Sequence, residues 1–170
     1  NVGDIDGAGG ESVSISGDGT VVAIGYPGTS QNGASVRVFE LDTNNQDWIQ
    51  RGPTLRDPND PDPNSPSSFG KAVSLSADAN TLAIGTPEDQ GFVHVYQYNQ
   101  SGDDYGYQLT IEGDPGDHDT WSDGVQSDGT GYVTALSDDG NSLVVPSIVL
   151  CCRVNERLGR WSQSTIRASF

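Results

Sequence analysis

Asp57, Asp60 and Asp62 sit in the stretch DPNDPD, and Asp114, Asp117 and Asp119 repeat its spacing in DPGDHD. Both stretches read Asp-Pro-x-Asp-x-Asp. Calcium takes roughly six to eight oxygen ligands, and closely spaced carboxylates with nearby backbone carbonyls can supply them. These six aspartates are therefore the candidate metal ligands, with calcium as the candidate ion. Asp4 and Asp6 in GDID read as the remnant of an earlier copy. A plainer reading stands beside this one, because Asp, Pro and Asn are what exposed turns are made of. His118, between Asp117 and Asp119, is a lone histidine and gives weak support for a transition metal.

Catalytic motifs are missing. The chain has no Gly-x-Ser-x-Gly elbow, no HExxH and no phosphate-binding loop. Aspartate is so abundant that no pair stands out as the two carboxylates of a glycosidase, which need a cleft to set their separation. The expectation is a protein that is not an enzyme. Cys151 and Cys152 are adjacent and alone, too few for a zinc site.

The formal charge is −16, almost all of it from Asp, and Lys71 is the single lysine. Phosphate backbones and anionic membrane surfaces are repelled by such a chain, so nucleic acid is not an expected partner. No apolar run approaches the roughly 20 residues of a membrane span, and the start, NVGDIDGAGG, lacks the basic-then-apolar character of a signal peptide. The chain begins without Met, and is expected to be a piece of a longer product or a processed form.

The elements that must position these residues announce themselves by repetition. VSISGDGTVVAIGYP at 13–27 returns as VSLSADANTLAIGTP at 73–87, and TALSDDGNSLVV begins a third copy at 134. Each copy opens with a strand of alternating character such as ESVSIS. A Gly/Asp/Asn turn that tolerates positive φ follows, then a continuous apolar strand such as TLAIG. A third strand carries Val36 and Val38, or Val93 and Val95, in one phase; a fourth, weaker one fits DWIQRG and GYQLTIEG. His94 lies out of phase with those valines and is expected on an exposed face.

Four antiparallel strands in about 60 residues make one blade of a β-propeller, and blades stack because a single one cannot bury its faces. The expected fold is all-β, a propeller fragment of two nearly complete four-stranded blades and a partial third. Residues 1–9 would end a preceding blade or linker, 10–66 form the first blade, 67–127 the second and 128–146 the partial third. The segment 147–170 breaks the pattern, carrying 4 basic residues and 1 acidic one against 4 and 23 in residues 1–146. It reads as non-blade sequence from a truncated or frame-shifted gene, or else as a real terminal segment, such as a short helix, that caps an open edge.

Phe69-Gly70 opening the second copy and Gly85-Thr86-Pro87 closing its second strand resemble the FG-GAP repeat, which builds the seven-bladed propeller of integrin α chains. Gly9-Gly10 with Gly25-Tyr26-Pro27 matches without the Phe, and Thr130-Gly131 stands for the opening in the third copy. The chain is also similar to repeat arrays in large surface or secreted proteins of marine microorganisms. The resemblance implies an extracellular propeller that binds a protein or carbohydrate ligand, or serves adhesion, without catalysis. The alternative is a fragment of a propeller hydrolase or lyase whose catalytic blades are missing. Calcium-binding FG-GAP blades carry an Asp-x-Asp-x-Asp-Gly-like loop, and SGDGT, SADANT and SDDGNS are too short in carboxylates for it, so that calcium site is not carried over. SGDGT also approximates the turn of sialidase-type propellers, but its Gly arrives early and no Trp follows. Trp48, Trp121, Tyr96, Tyr98, Tyr105 and Tyr107 can face a glycan or pack between blades, and the sequon Asn99-Gln100-Ser101 fits a secreted chain. Contacts are expected from the loops at 26–35, 56–68, 86–91 and 112–130, because a rigid scaffold leaves recognition to its loops.

Overall fold

The first copy of the motif forms β1 (Ser12–Ile15), β2 (Val21–Tyr26), β3 (Ser35–Asp42) and β4 (Asp47–Gln50), paired in that order. The second forms β5 (Ala72–Leu75), β6 (Thr81–Thr86), β7 (Phe92–Asn99) and β8 (Asp104–Glu112). In the third, β9 (Ala135–Leu136) and β10 (Ser142–Val145) are joined by β11 (Leu150–Asn155) and β12 (Arg160–Thr165). Every pairing is antiparallel. The computed structural model describes residues 10–28, 33–60, 62, 67–88, 91–113, 130–145, 150–155 and 160–165, the last two ranges by backbone alone. Residues 150–155 and 160–165 fall in the off-pattern segment, for which the sequence reading allows a short helix; there the backbone is extended and pairs onto β10.

The Ser-x-Asp of each copy is a turn device. Ser16 Oγ donates to Asp18 Oδ1 at 2.7 Å and accepts from the Val21 amide at 2.9 Å, while Asp18 Oδ1 also accepts from the Thr20 amide at 3.0 Å. Ser76 and Asp78 repeat this with Asn80 and Thr81, and Ser137 and Asp139 with Asn141 and Ser142. Hydrogen bonds from the Ser16 hydroxyl, then from Thr20, hold the Asp18 carboxyl down to about 2. These aspartates close hairpins by giving backbone donors a partner they would otherwise take from water.

Successive sheets meet through their first strands. Ser12 Oγ donates to the Gly70 carbonyl at 2.7 Å, and Ser14 Oγ accepts from the Leu75 amide at 3.0 Å. One repeat later, Ser74 Oγ accepts from the Leu136 amide at 2.9 Å. Gly70 presses on Gly25, and Gly131 on Gly85: a Cβ on Gly25 or Gly85 would collide with the facing carbonyl oxygen. Gly70 and Gly131 both take φ of 87°, open to glycine at no steric cost. The Phe-Gly of one blade and the Gly-x-Pro of the blade before it are thus two halves of one contact.

Each seam has its own core. The first contains Val21, Val36, Val38 and Leu55 of the first sheet against Phe69, Leu82, Ile84 and Tyr96 of the second. At the second, Ala83, Val93, Val95 and Ile111 pack on Leu143 and Val145. The middle sheet is therefore buried on both faces, with one phase of β6 and β7 turned to each neighbour. Four-stranded antiparallel sheets stacked in this way are the blades of a β-propeller.

Candidate functional site

Strand register sets the site. Thr86 pairs with Phe92, and Phe92 with Glu112, so these three form one row at the end of the second blade. From the first blade, Leu55 returns to bridge Val36 and delivers residues 57–60 to that row. Between them lies a cavity of about 440 Å³. The first-blade loop contributes Asp57, Asn59 and Asp60 to its wall; the second blade contributes Thr86, Glu88, Phe92 and Glu112, with Ser67 from the connection between them. Among the described residues four carboxyl side chains line the cavity, and no lysine or arginine does.

Asp57 and Asp60 also shape their own loop. Asp57 Oδ1 accepts from the Asn59 amide at 2.8 Å, and Asp60 Oδ1 from the Asp62 amide at 3.1 Å. Asp57 is buried and Asp60 half-buried on the cavity wall, whereas Asp62 is exposed and is not part of the wall. Asp114, Asp117 and Asp119, with Asp4, Asp6, His118 and Trp121, lie outside the described residues. Among the described residues no three His, Cys, Asp or Glu side chains gather as a metal ion needs. Glu88 Oε1 accepts from Ser68 Oγ at 2.9 Å. Thr86 is buried on the wall, and its hydroxyl has no hydrogen-bond partner among the described residues.

His94 is where the alternation argument fails. Expected on an exposed face, its side chain is fully buried, stacked on Phe92 at 6.1 Å and tilted against Phe69 at 5.7 Å. Alternation separates the two faces of a sheet, but here both faces are covered by neighbouring blades. Its Nδ1 lies 2.8 Å from Thr110 Oγ1, and its Nε2 lies 3.7 Å from Asp57 Oδ1, beyond hydrogen-bond reach. Burial pushes the His94 pKa down, with the Asp57 carboxylate pulling the other way. The ring is neutral at pH 7, and the Asp57 approach is not an ion pair there.

Of the aromatic residues, Tyr96 and Tyr105 are core. The Tyr105 hydroxyl donates to the Ala79 carbonyl at 2.7 Å, and burial pushes its pKa up to about 12. Arg51, leaving β4, lies 3.7 Å from the centre of the Tyr98 ring and ties the end of β4 to β7 of the next blade. Trp48 and Tyr107 are exposed. The sequence reading singled out Asp57 and Asp60 by residue, took in Ser67, Thr86, Glu88 and Glu112 only as parts of the contact loops at 56–68, 86–91 and 112–130, and missed Phe92, whose signal lies in the pairing register and not in any local motif.

No protein-family model and no curated protein matches the chain. Solved structures do. A putative 6-phosphogluconolactonase from Bacteroides uniformis superposes with a TM-score of 0.60 at 14% identity, over 96% of this chain and 41% of that one. A second, from Bacteroides fragilis, gives 0.58 at 12% identity, over 92% and 38%. The RRP9 WD40 repeats give 0.52 at 16% identity, over 91% and 38%. The chain thus spans about two fifths of the length of the structures it matches. At these identities the likeness shows the fold, and the fold is the β-propeller expected from the repeat. It also corrects the expectation of a protein that is not an enzyme, because the similar structures include two putative lactonases. Motif absence was a poor ground for that exclusion: a propeller site is assembled from the loops of several blades, so no local signature need mark it.

Proposed function

We propose that this chain belongs to an extracellular, FG-GAP-like β-propeller that holds a protein or carbohydrate ligand through its inter-blade loops, with the acidic cavity at the first seam as one contact. The observation that carries this reading is the cavity itself, built where two blades meet at their strand ends and not inside the packed core. Its size falls within the roughly 300–1,000 Å³ of small-molecule sites. The acidic composition and the sequon at Asn99 support an extracellular setting. Titration calorimetry with cellotetraose, mannotetraose and chitotetraose tests the carbohydrate contact. Saturable binding of one of them, weakened about tenfold or more by Phe92→Ala, supports it. No heat from any of the three overturns it.

A propeller hydrolase is the second reading, favoured by one observation: Asp57, on the cavity wall, stands 3.7 Å from a ring nitrogen of the buried His94. Hydrolysis of δ-gluconolactone, abolished by Asp57→Asn in a chain that still folds, would establish it.

A further inference from the structure

One motif of the sequence has no part in the cavity. Asn99-Gln100-Ser101 is the single Asn-x-Ser/Thr triplet of the chain, and its middle residue is not Pro. It falls on the hairpin between β7 and β8, where all three residues are exposed and belong to neither seam core. The Ser101 amide donates to Asn99 Oδ1 at 3.1 Å, and the Gly102 amide donates to the Asn99 carbonyl at 3.1 Å. The carboxamide is thus held by its oxygen, while its nitrogen makes no hydrogen bond among the described residues. Gly102 keeps that nitrogen uncrowded, since a Cβ there would stand 3.0 Å from it.

The first blade shows what such a turn needs for folding alone. Asp42 pairs with Asp47 as Asn99 pairs with Asp104, and Asp42 Oδ1 accepts from the Asn44 amide at 2.9 Å. The cap asks for a side-chain oxygen at the first position and for no hydroxyl at the third, where Asn44 stands. In the second blade the third position is Ser101, whose hydroxyl makes no hydrogen bond among the described residues. The serines of the repeated turns differ, because Ser16, Ser76 and Ser137 each donate to an aspartate. Folding accounts for Asn99 Oδ1 and leaves the Asn99 nitrogen and the Ser101 hydroxyl idle.

The sheet edge gives them a use. β8 is outermost in its sheet and nine residues long, with neither Lys nor Pro to blunt its edge, whereas β4, in the same place, has four residues. A long open edge invites pairing with another strand, and a bulky hydrophilic group at its head opposes that.

We propose that Asn99 is an N-glycosylation site, carrying a covalently bound carbohydrate at the head of β8. This rests on the extracellular reading of the chain. The donor is an oligosaccharide linked through pyrophosphate to a lipid. The Asn99 nitrogen attacks the anomeric carbon, and the C–N bond forms as the C–O bond to the pyrophosphate breaks. The lipid pyrophosphate leaves with the electron pair, and the nitrogen gives up one proton to the medium.

Expression of the full 170-residue chain behind a cleavable secretion signal in insect cells tests it, with cells and medium both analysed by mass spectrometry. The chain is expected to be heavier than its sequence mass, and an amidase that cuts Asn-linked glycans should remove the excess. Asn99→Asp keeps the oxygen cap, as Asp42 does, and should abolish the added mass. Ser101→Ala should abolish it too, whereas Ser101→Thr and Asn44→Gln should keep it in full. An unmodified parent chain overturns the proposal, and so does added mass that survives Asn99→Asp. Where the chain is found separates this proposal from the reading beneath it. An unmodified chain in the medium sinks the glycan and leaves the extracellular reading standing. A modified chain retained and degraded in the cells supports the glycan and counts against the extracellular reading; an unmodified chain retained there sinks both.

Discussion

Val13 and Val73 hold the same place in two copies of one motif, yet Val13 is 68% exposed and Val73 only 9%. Ile15 and Leu75 differ in the same way, at 56% and 7%. The strands are alike in sequence, length and pairing. What differs is the neighbour: the first blade covers Val73 and Leu75, and no described residues cover Val13 and Ile15. One position later in the comparison, Arg37 of the first blade corresponds to His94 of the second, paired with Ile24 and Ile84 respectively. Arg37 is half-buried, 5.9 Å from the Tyr26 ring, while His94 is sealed beneath the Asp57 loop. Burial in this fold is a property of the seam, and the same side chain carries different weight according to which side of a seam it is on.

The largest test is Ile84→Ala against Ile24→Ala. Ile84 is fully buried and Ile24 half-buried. Urea unfolding should show a loss of about 4 kcal/mol for the first and about 1 kcal/mol for the second, following the cavity cost of core truncation. Equal losses would mean that the two blades share one environment after all. Next comes Leu75→Ala, at about 3 kcal/mol, against Ile15→Ala, within about 0.5 kcal/mol of the parent. Should Ile15→Ala prove as costly as Leu75→Ala, the face of β1 is covered in solution.

Gly25→Ala probes the seam from the backbone. The added methyl meets the Gly70 carbonyl oxygen, so forced separation of the blades should cost about 2 kcal/mol. Unchanged stability would show that the seam has room to spare. The smallest expected effect is a pH dependence. Because the folded His94 has its pKa held below the unfolded value, the unfolded chain binds more protons once the pH drops under about 6.5. Its contribution is complete above that value and is lost as the pH falls further. His94→Gln should flatten the decline in urea midpoint between pH 7 and pH 5.

Much of the fold was legible in residues alone. The repeats marked the blades, their Gly/Asp/Asn turns marked the hairpins, and Phe69-Gly70 with Gly85-Thr86-Pro87 marked the opening and the second-strand end of a copy, though not that such glycines meet across a seam. The cavity was half legible. Asp57 and Asp60 stood out because their spacing is local, but Thr86, Phe92 and Glu112 come together only through strand register. His94 was put on the right face, opposite Val93 and Val95, but expected to be exposed, for a related reason. Alternation gives which residues share a face, and only the stacking of a further sheet decides whether that face is wet. Arg51 over Tyr98 is likewise a contact between blades, and nothing near either residue in the chain announces it.

Each seam joins a glycine that presses forward to a glycine that receives it, Gly70 on Gly25 and Gly131 on Gly85. Every middle blade carries both halves, the pressing glycine at its opening and the receiving one at the end of its second strand. A gene encoding such a chain can therefore gain or lose a whole repeat by duplication or unequal exchange, and every newly adjacent pair of blades still finds its match. The copies need not be equally long for this, since the opening glycines Gly10, Gly70 and Gly131 lie 60 and 61 residues apart. The seam fixes which glycines meet and leaves the loops between them to vary in length.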